Sequence, residues 1–184
     1  MIFNRVLTSA TVLFIAAISA AQPATVAQRA GVPANPGYAT MHLETSVGST
    51  RSVDSEGRYE ISFRGTVLIS QLTGFAAGSK GSVQVFGDVK KQYDANNRQV
   101  YFGRGRIVVT GKWRSIHWFG GDMKTVWFGK GRVQVTGEYD KNLKTGALWY
   151  DDPKKRIDFP VNGLLEYILP VRTTPPPTPP APRT

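Results

Sequence analysis

Two stretches 26 residues apart nearly repeat each other, FGRGRIVVTGKW at 102–113 and FGKGRVQVTGEY at 128–139, and their alternation restricts what the chain can become. Ten of the twelve positions are identical or chemically similar. Side chains on a strand point alternately to opposite faces. The odd positions read Tyr101, Gly103, Gly105, Ile107, Val109, Gly111, Trp113 and then Trp127, Gly129, Gly131, Val133, Val135, Gly137, Tyr139. That face is apolar with glycine gaps. The even positions carry Arg104, Arg106, Lys112, Lys130, Arg132 and polar neighbours. One apolar and one polar face is the pattern of an antiparallel sheet covering a core. A shorter core, cation–Gly–x–β-branched–x–β-branched, starts at Arg64, Lys80, Arg104 and Lys130.

No segment sustains the i, i+3, i+4 apolar stripe of a helix. Only NGLLEYILP near the C-terminus has helix-like spacing, and Pro170 stops it. YDANNRQVYF at 93–102 and YDKNLKTGALWY at 139–150 each place Tyr-Asp before a polar turn and an aromatic strand, which predicts two hairpins. The fold class is all-β, an antiparallel meander or sandwich built from repeated glycine-spaced strands. A three-residue loop at Gly120-Gly121-Asp122 would pair the two copies with each other. Trp113 would then cover Gly129 and Tyr139 would cover Gly103, while Arg104 met Glu138 and Lys112 met Lys130. The alternative is a β-solenoid of 24–26 residues per coil, which would stack Arg104 on Lys130 and Arg106 on Arg132.

Residues 1–21 carry one cation, Arg5, an apolar run from Val6 to Ala21, and small residues at Ser19 and Ala21, the grammar of a secretory signal peptide. The run is too short for a membrane span of ~20 apolar residues. The expected division is a signal peptide at 1–21, a linker at 22–37, an all-β domain at 38–171 and a proline-rich tail at 172–184. The expected location is the periplasm, cell envelope or medium. The chain has no cysteine, so disulfides and thiolate chemistry are excluded and an apolar core must hold the domain.

Net charge is +10, and Lys90 to Arg132 holds ten cations against Asp94 and Asp122. Outside the cytoplasm such a field suits anionic glycans, envelope polymers or lipid headgroups. The candidate contacts are Arg104, Arg106, Lys112, Lys130 and Arg132. The glycines match neither the dinucleotide fingerprint nor the phosphate loop, because Val108 fills the third glycine slot of the first and five residues separate Gly105 from Gly111-Lys112 in the second. The aromatic stacking positions of an RNA-recognition strand are missing, so nucleic acid is not the favoured partner. His42 and His117 have no paired metal-ligand spacing, so no metal or other cofactor is expected. Glu138, Asp140 and Asp151 are the carboxylates from which a glycan hydrolase would have to be built. The four tryptophans, Trp113, Trp118, Trp127 and Trp149, are read as core.

The stretch YDANNRQVYFGRGRIVVTG, with its Tyr-Asp turn and glycine-spaced strand, resembles the periplasmic lipopolysaccharide-transport proteins of the organic-solvent-tolerance type. That resemblance implies an open β-jellyroll that carries lipid A. The expectation from the residues themselves is a non-catalytic exported module, structural or binding an anionic polymer or headgroup through a cationic sheet face. Lipid carriage and glycan hydrolysis are the alternatives.

Overall fold

Two very long strands make most of the molecule. The computed structural model describes residues 31–33, 35, 37–137, 146–159 and 164–169. The signal peptide, nearly all of the linker, the proline-rich tail and the turn at 139–145 lie outside the described residues. The strands are β1 (Ala39–Ser70), β2 (Ser82–Tyr93), β3 (Gln99–Gly137), β4 (Ala147–Tyr150), β5 (Ile157–Asp158) and β6 (Leu164–Leu169). All pairings are antiparallel. The sheet runs β2-β3-β1-β4-β5, with β6 on the other part of β3, and it is open rather than a closed barrel. The helix-like spacing near the C-terminus belongs to β6, whose residues pair with Gly131–Thr136.

β1 and β3 meet in two registers. Thr50 lies beside Trp118 across one edge and beside Val135, seventeen residues further on, across the other. Arg51 likewise lies beside His117 and Gln134. A strand can flank the same partner at two points seventeen residues apart only if the paired ribbon winds back on itself. Elsewhere, as at Glu56 beside Lys112 and Lys130, the offset is eighteen, so the ribbon makes one turn per seventeen or eighteen residues and its two halves face each other across the core.

Glycines mark the corners. Across the sheet, Gly137, Gly48, Gly120, Gly65 and Gly103 are successive partners, and so are Gly129, Gly57 and Gly111. These two rows cross each strand every eight or nine residues, twice per turn. At Gly57 (φ +131°) a Cβ would run into the carbonyl oxygen of Phe128, and at Gly65 (φ +149°) into that of Phe119. Neighbouring backbones close in at the corners, and only glycine leaves them room.

Between the corners the parity read from sequence holds. Tyr101, Ile107, Val109, Trp113, Trp127, Val133 and Val135 are all buried in one cluster. It fails over 115–119, where Ile116 and Trp118 point inward. The partner stretch shifts with them: Thr50 and Ser52, opposite Trp118 and Ile116, are buried as well. Asp54 (φ +44°) and Asp122 (φ +54°) sit where the alternation returns to odd positions. Irregular residues of this kind reverse which face a side chain takes.

The predicted hairpin at Gly120–Asp122 does not form, because β3 runs unbroken through it. Trp113 lies opposite Ser55, not Gly129, and glycine faces glycine instead of an aromatic ring. The two repeats are not partners. Each is one flat segment between two corners, 103–111 and 129–137, and each pairs with β1. Nor does a coil of 24–26 residues form, since the turn is seventeen or eighteen and antiparallel. The other predicted hairpin is present. β2 and β3 are joined at 94–98, where Asn97 takes φ +55° and Asp94 Oδ1 accepts from the amides of Asn96 (3.0 Å) and Arg98 (2.9 Å).

The core is aromatic. Tyr59, Trp113 and Trp127 pack with ring centroids 5.7–6.2 Å apart, and Trp118 is fully buried beside Ile116 and Met123. Contacts such as Thr50 to Met123 Sδ (3.8 Å) join opposite halves of the roll. Each full burial of a large apolar side chain contributes roughly 1.5–3 kcal/mol, and no disulfide supplements it. Trp149 is half-buried on the outside, stacked on His42 at 5.2 Å with the Arg156 guanidinium 4.5 Å from its centroid.

Candidate functional site

The second glycine row places a charge cluster along one corner of the roll. Just past Gly111 and Gly129, the chain presents Lys112 and Lys130 on the outer face. Both are neighbours of Glu56, one on each edge of β1. Lys130 Nζ is 3.3 Å from Glu56 Oε1 and Lys112 Nζ is 3.9 Å from Oε2. The direct Lys112–Lys130 pairing expected from sequence is replaced by a carboxylate between them, which turns a repulsion into two attractions. The Tyr38 hydroxyl donates to Glu56 Oε1 at 2.7 Å. Burial, with the Glu56 carboxylate adding to it, pushes that hydroxyl well above the usual tyrosine range. Glu56 is thus held by three partners, and its side chain is only 17% exposed, while the lysines are about half-exposed.

A cleft of about 390 Å³ opens beside this cluster. Its cations are Lys112, Arg114 and Lys130, and its acids are Asp54 and Glu56. Asp54 also holds Arg132, whose guanidinium is 3.6 Å from Oδ2. Two residues lining the cleft, Asp54 (φ +44°) and Gln71 (φ +50°), have left-handed backbone, which is uncommon outside glycine. Gln71 turns the chain out of β1 into a loop over 71–81. Thr73 then ties that loop to β3 by two backbone hydrogen bonds with Lys112, each 2.8 Å. The Trp113 ring forms part of the floor and is 2% exposed, so it offers no face for stacking.

The five cations chosen from sequence separate into two groups. Lys112 and Lys130 line the cleft, and Arg132 is attached to its Asp54. Arg104 and Arg106 lie away from it, on the segment between the two corners. Arg106 Nη1 donates to Glu60 Oε1 at 2.8 Å, and its guanidinium lies 4.4 Å from the Phe86 centroid. Arg104 is exposed between Arg64 and Asp88 and forms no ion pair among the described residues. Four of the five therefore have carboxylate partners, all on β1. Parity put these cations on the outer face correctly, but it could not show that β1 brings Asp54, Glu56 and Glu60 alongside.

Sequence reasoning missed Arg114, Asp54 and Gln71. Arg114 is the next even position after Lys112 and is exposed like it, so the same alternation carried two residues further would have found it. Asp54 and Gln71 matter through backbone conformation, which residue type alone announces only weakly.

Among the described residues no group of three or more His, Asp or Glu is placed to hold a metal ion. His117 Nε2 is 2.8 Å from Ser49 Oγ, outside the cleft, and His42 is stacked on Trp149. Burial lowers the pKa of both imidazoles. Arg51 and Arg98 add to the effect at His117, and Asp151 and Glu44 oppose it at His42. Of the hydrolase carboxylates, Asp151 is exposed, and Glu138 and Asp140 lie outside the described residues. Tyr59, Trp113, Trp118 and Trp127 are buried together in the core cluster. No family model, curated protein or solved structure matches this chain.

Proposed function

We propose that the protein is an exported, non-catalytic β-module that holds an anionic polymer or headgroup at the cleft over the second glycine row. One observation carries the reading: Lys112, Arg114 and Lys130 converge on a concave site of about 390 Å³, with Arg132 at its side. Elsewhere on the outer face cations are spread along flat strands, whereas here three reach one volume. Lysine ammonium groups act as mobile point charges, so they suit an oxyanion approached from solvent. Glu56 holds both lysines close together without neutralising them fully, since the cluster of Lys112, Lys130, Arg114 and Arg132 outweighs Glu56 and Asp54.

The expected behaviour is salt-dependent binding, because each phosphate or sulfate contact releases condensed counterions. The test measures binding to heparin and to polyphosphate across a salt series. Lys112→Glu with Lys130→Glu should lower the log–log salt slope by about 2. Binding that does not change with salt, or that survives this double reversal, would refute the reading.

A further inference from the structure

We propose that the site is a track for a linear chain with repeated phosphate or sulfate groups rather than a seat for one headgroup. The proposal rests on the reading of the cleft given above and goes on to identify the class of ligand. The cleft is the first of three hollows in a row. A second, about 590 Å³, follows the 71–81 loop and shares Thr73 and Lys112 with the first. A third, about 390 Å³, shares Lys80 and Ser79 with the second and reaches Arg58. Shared residues place the three side by side along the loop. The path runs from Lys130 and Arg114, past Lys112, along the loop to Lys80, and on to Arg58.

Charge follows this path. The loop contributes no acid, and Lys80 is exposed with no ion pair among the described residues. Arg58, 17% exposed, has one ion-pair contact among the described residues, a long one of 3.8 Å to Glu60. Small residues, Gly74, Ala76, Ala77, Gly78 and Ser79, line the middle hollow, so a ligand backbone can lie close to the protein there. A single phosphate sits in one hollow and leaves the cations at the other end unused. A chain with a charge on every unit places one near each cation, and each further contact adds counterion release. Phe75, half-buried, is the one aromatic side chain lining the second and third hollows, and Trp113 in the first is buried, so charge spacing rather than successive base stacking is what the track reads.

The test compares short and long polyphosphates, and short and long heparin oligosaccharides, on the full protein. Affinity should rise with chain length for both polymers. Lys80→Glu and the milder Lys80→Gln should weaken the long chains, the former by about tenfold with a salt slope lower by about 1, and leave the short ones unchanged. Equal affinity for short and long chains would overturn the track. So would a Lys80 variant indistinguishable from the parent, or anionic phospholipid vesicles bound as tightly per headgroup as long polyphosphate is per phosphate. Tighter binding of single-stranded oligodeoxythymidylate than of polyphosphate of equal charge would also overturn it. Failure of the underlying cleft looks different, because Lys112→Glu with Lys130→Glu would then leave short-chain binding intact.

Discussion

Glu56 is the residue on which the site turns. It stands between two lysines that sequence reasoning set directly against each other, and it takes a third bond from Tyr38. The lysine ends of both ion pairs are about half-exposed, so each pair contributes little, typically under about 1 kcal/mol. Glu56→Gln should therefore leave the fold in place, with a denaturation midpoint close to the parent. It should also strengthen polyanion binding severalfold, since an incoming oxyanion no longer competes with a carboxylate for Lys112 and Lys130. Weaker binding by this variant would mean that Glu56 positions the lysines more than it occupies them. The two histidines set a pH dependence. Burial depresses both imidazoles below the ordinary value near 6.5. The folded state thus binds fewer protons than the unfolded state just below that pH. Stability is full above it and declines as pH falls through the depressed values. Urea midpoints should drop between neutral pH and mildly acid pH, and less so in His117→Asn. A midpoint that rises on acidification would contradict the assignment.

At the scale of the element, the strand assignment and its facing were legible because a two-residue period is a local property. Ile107, Val109, Trp113, Val133 and Val135 could be placed inward from the alternation alone. The pairing was not legible. Gly120-Gly121-Asp122 has the composition of a turn, yet β3 passes through it as one corner of the roll. The two copies look like partners because each spans the same eight residues between corners. Their real partner, β1, resembles neither copy closely. The glycine rows give a sharp prediction. Gly57→Ala brings a methyl group against the Phe128 carbonyl at a backbone angle that side chains rarely adopt. It should destabilise the protein by roughly 2–4 kcal/mol, combining backbone strain with overpacking. Gly78→Ala is the control: it also has positive φ, but nothing lies within 4 Å of the new methyl. It should cost about 1 kcal/mol, the strain alone. Equal losses in thermal or urea unfolding would show that the corner does not depend on close backbone approach.

Over the whole molecule, the charge that sequence analysis located in 90–132 is a property of the folded ribbon as much as of that segment. β1 carries Glu44, Asp54, Glu56 and Glu60, and winding lays it beside β3, where the last three take Arg132, Lys112, Lys130 and Arg106 as partners. Four of the five cations singled out from sequence are thus matched in sign within the molecule. Cations with no ion pair among the described residues, such as Arg104, Lys90 and Lys124, are spread along the strands, but Lys112, Arg114 and Lys130 converge where the second glycine row meets the 71–81 loop. No reading of β3 alone could show this, because it depends on how three separate stretches are brought to one corner of the roll. The fold therefore separates two pairs of cations that the sequence groups together. The decisive measurement is the affinity for long polyphosphate, with its salt dependence, in two double variants of equal charge change. Lys112→Glu with Lys130→Glu should weaken binding on the order of 100-fold, each tenfold step being about 1.4 kcal/mol. Arg104→Glu with Arg106→Glu should weaken it by about tenfold or less, the effect of lowered net charge alone. Equal losses in the two variants would mean that binding follows overall charge and that the cleft has no special part in it.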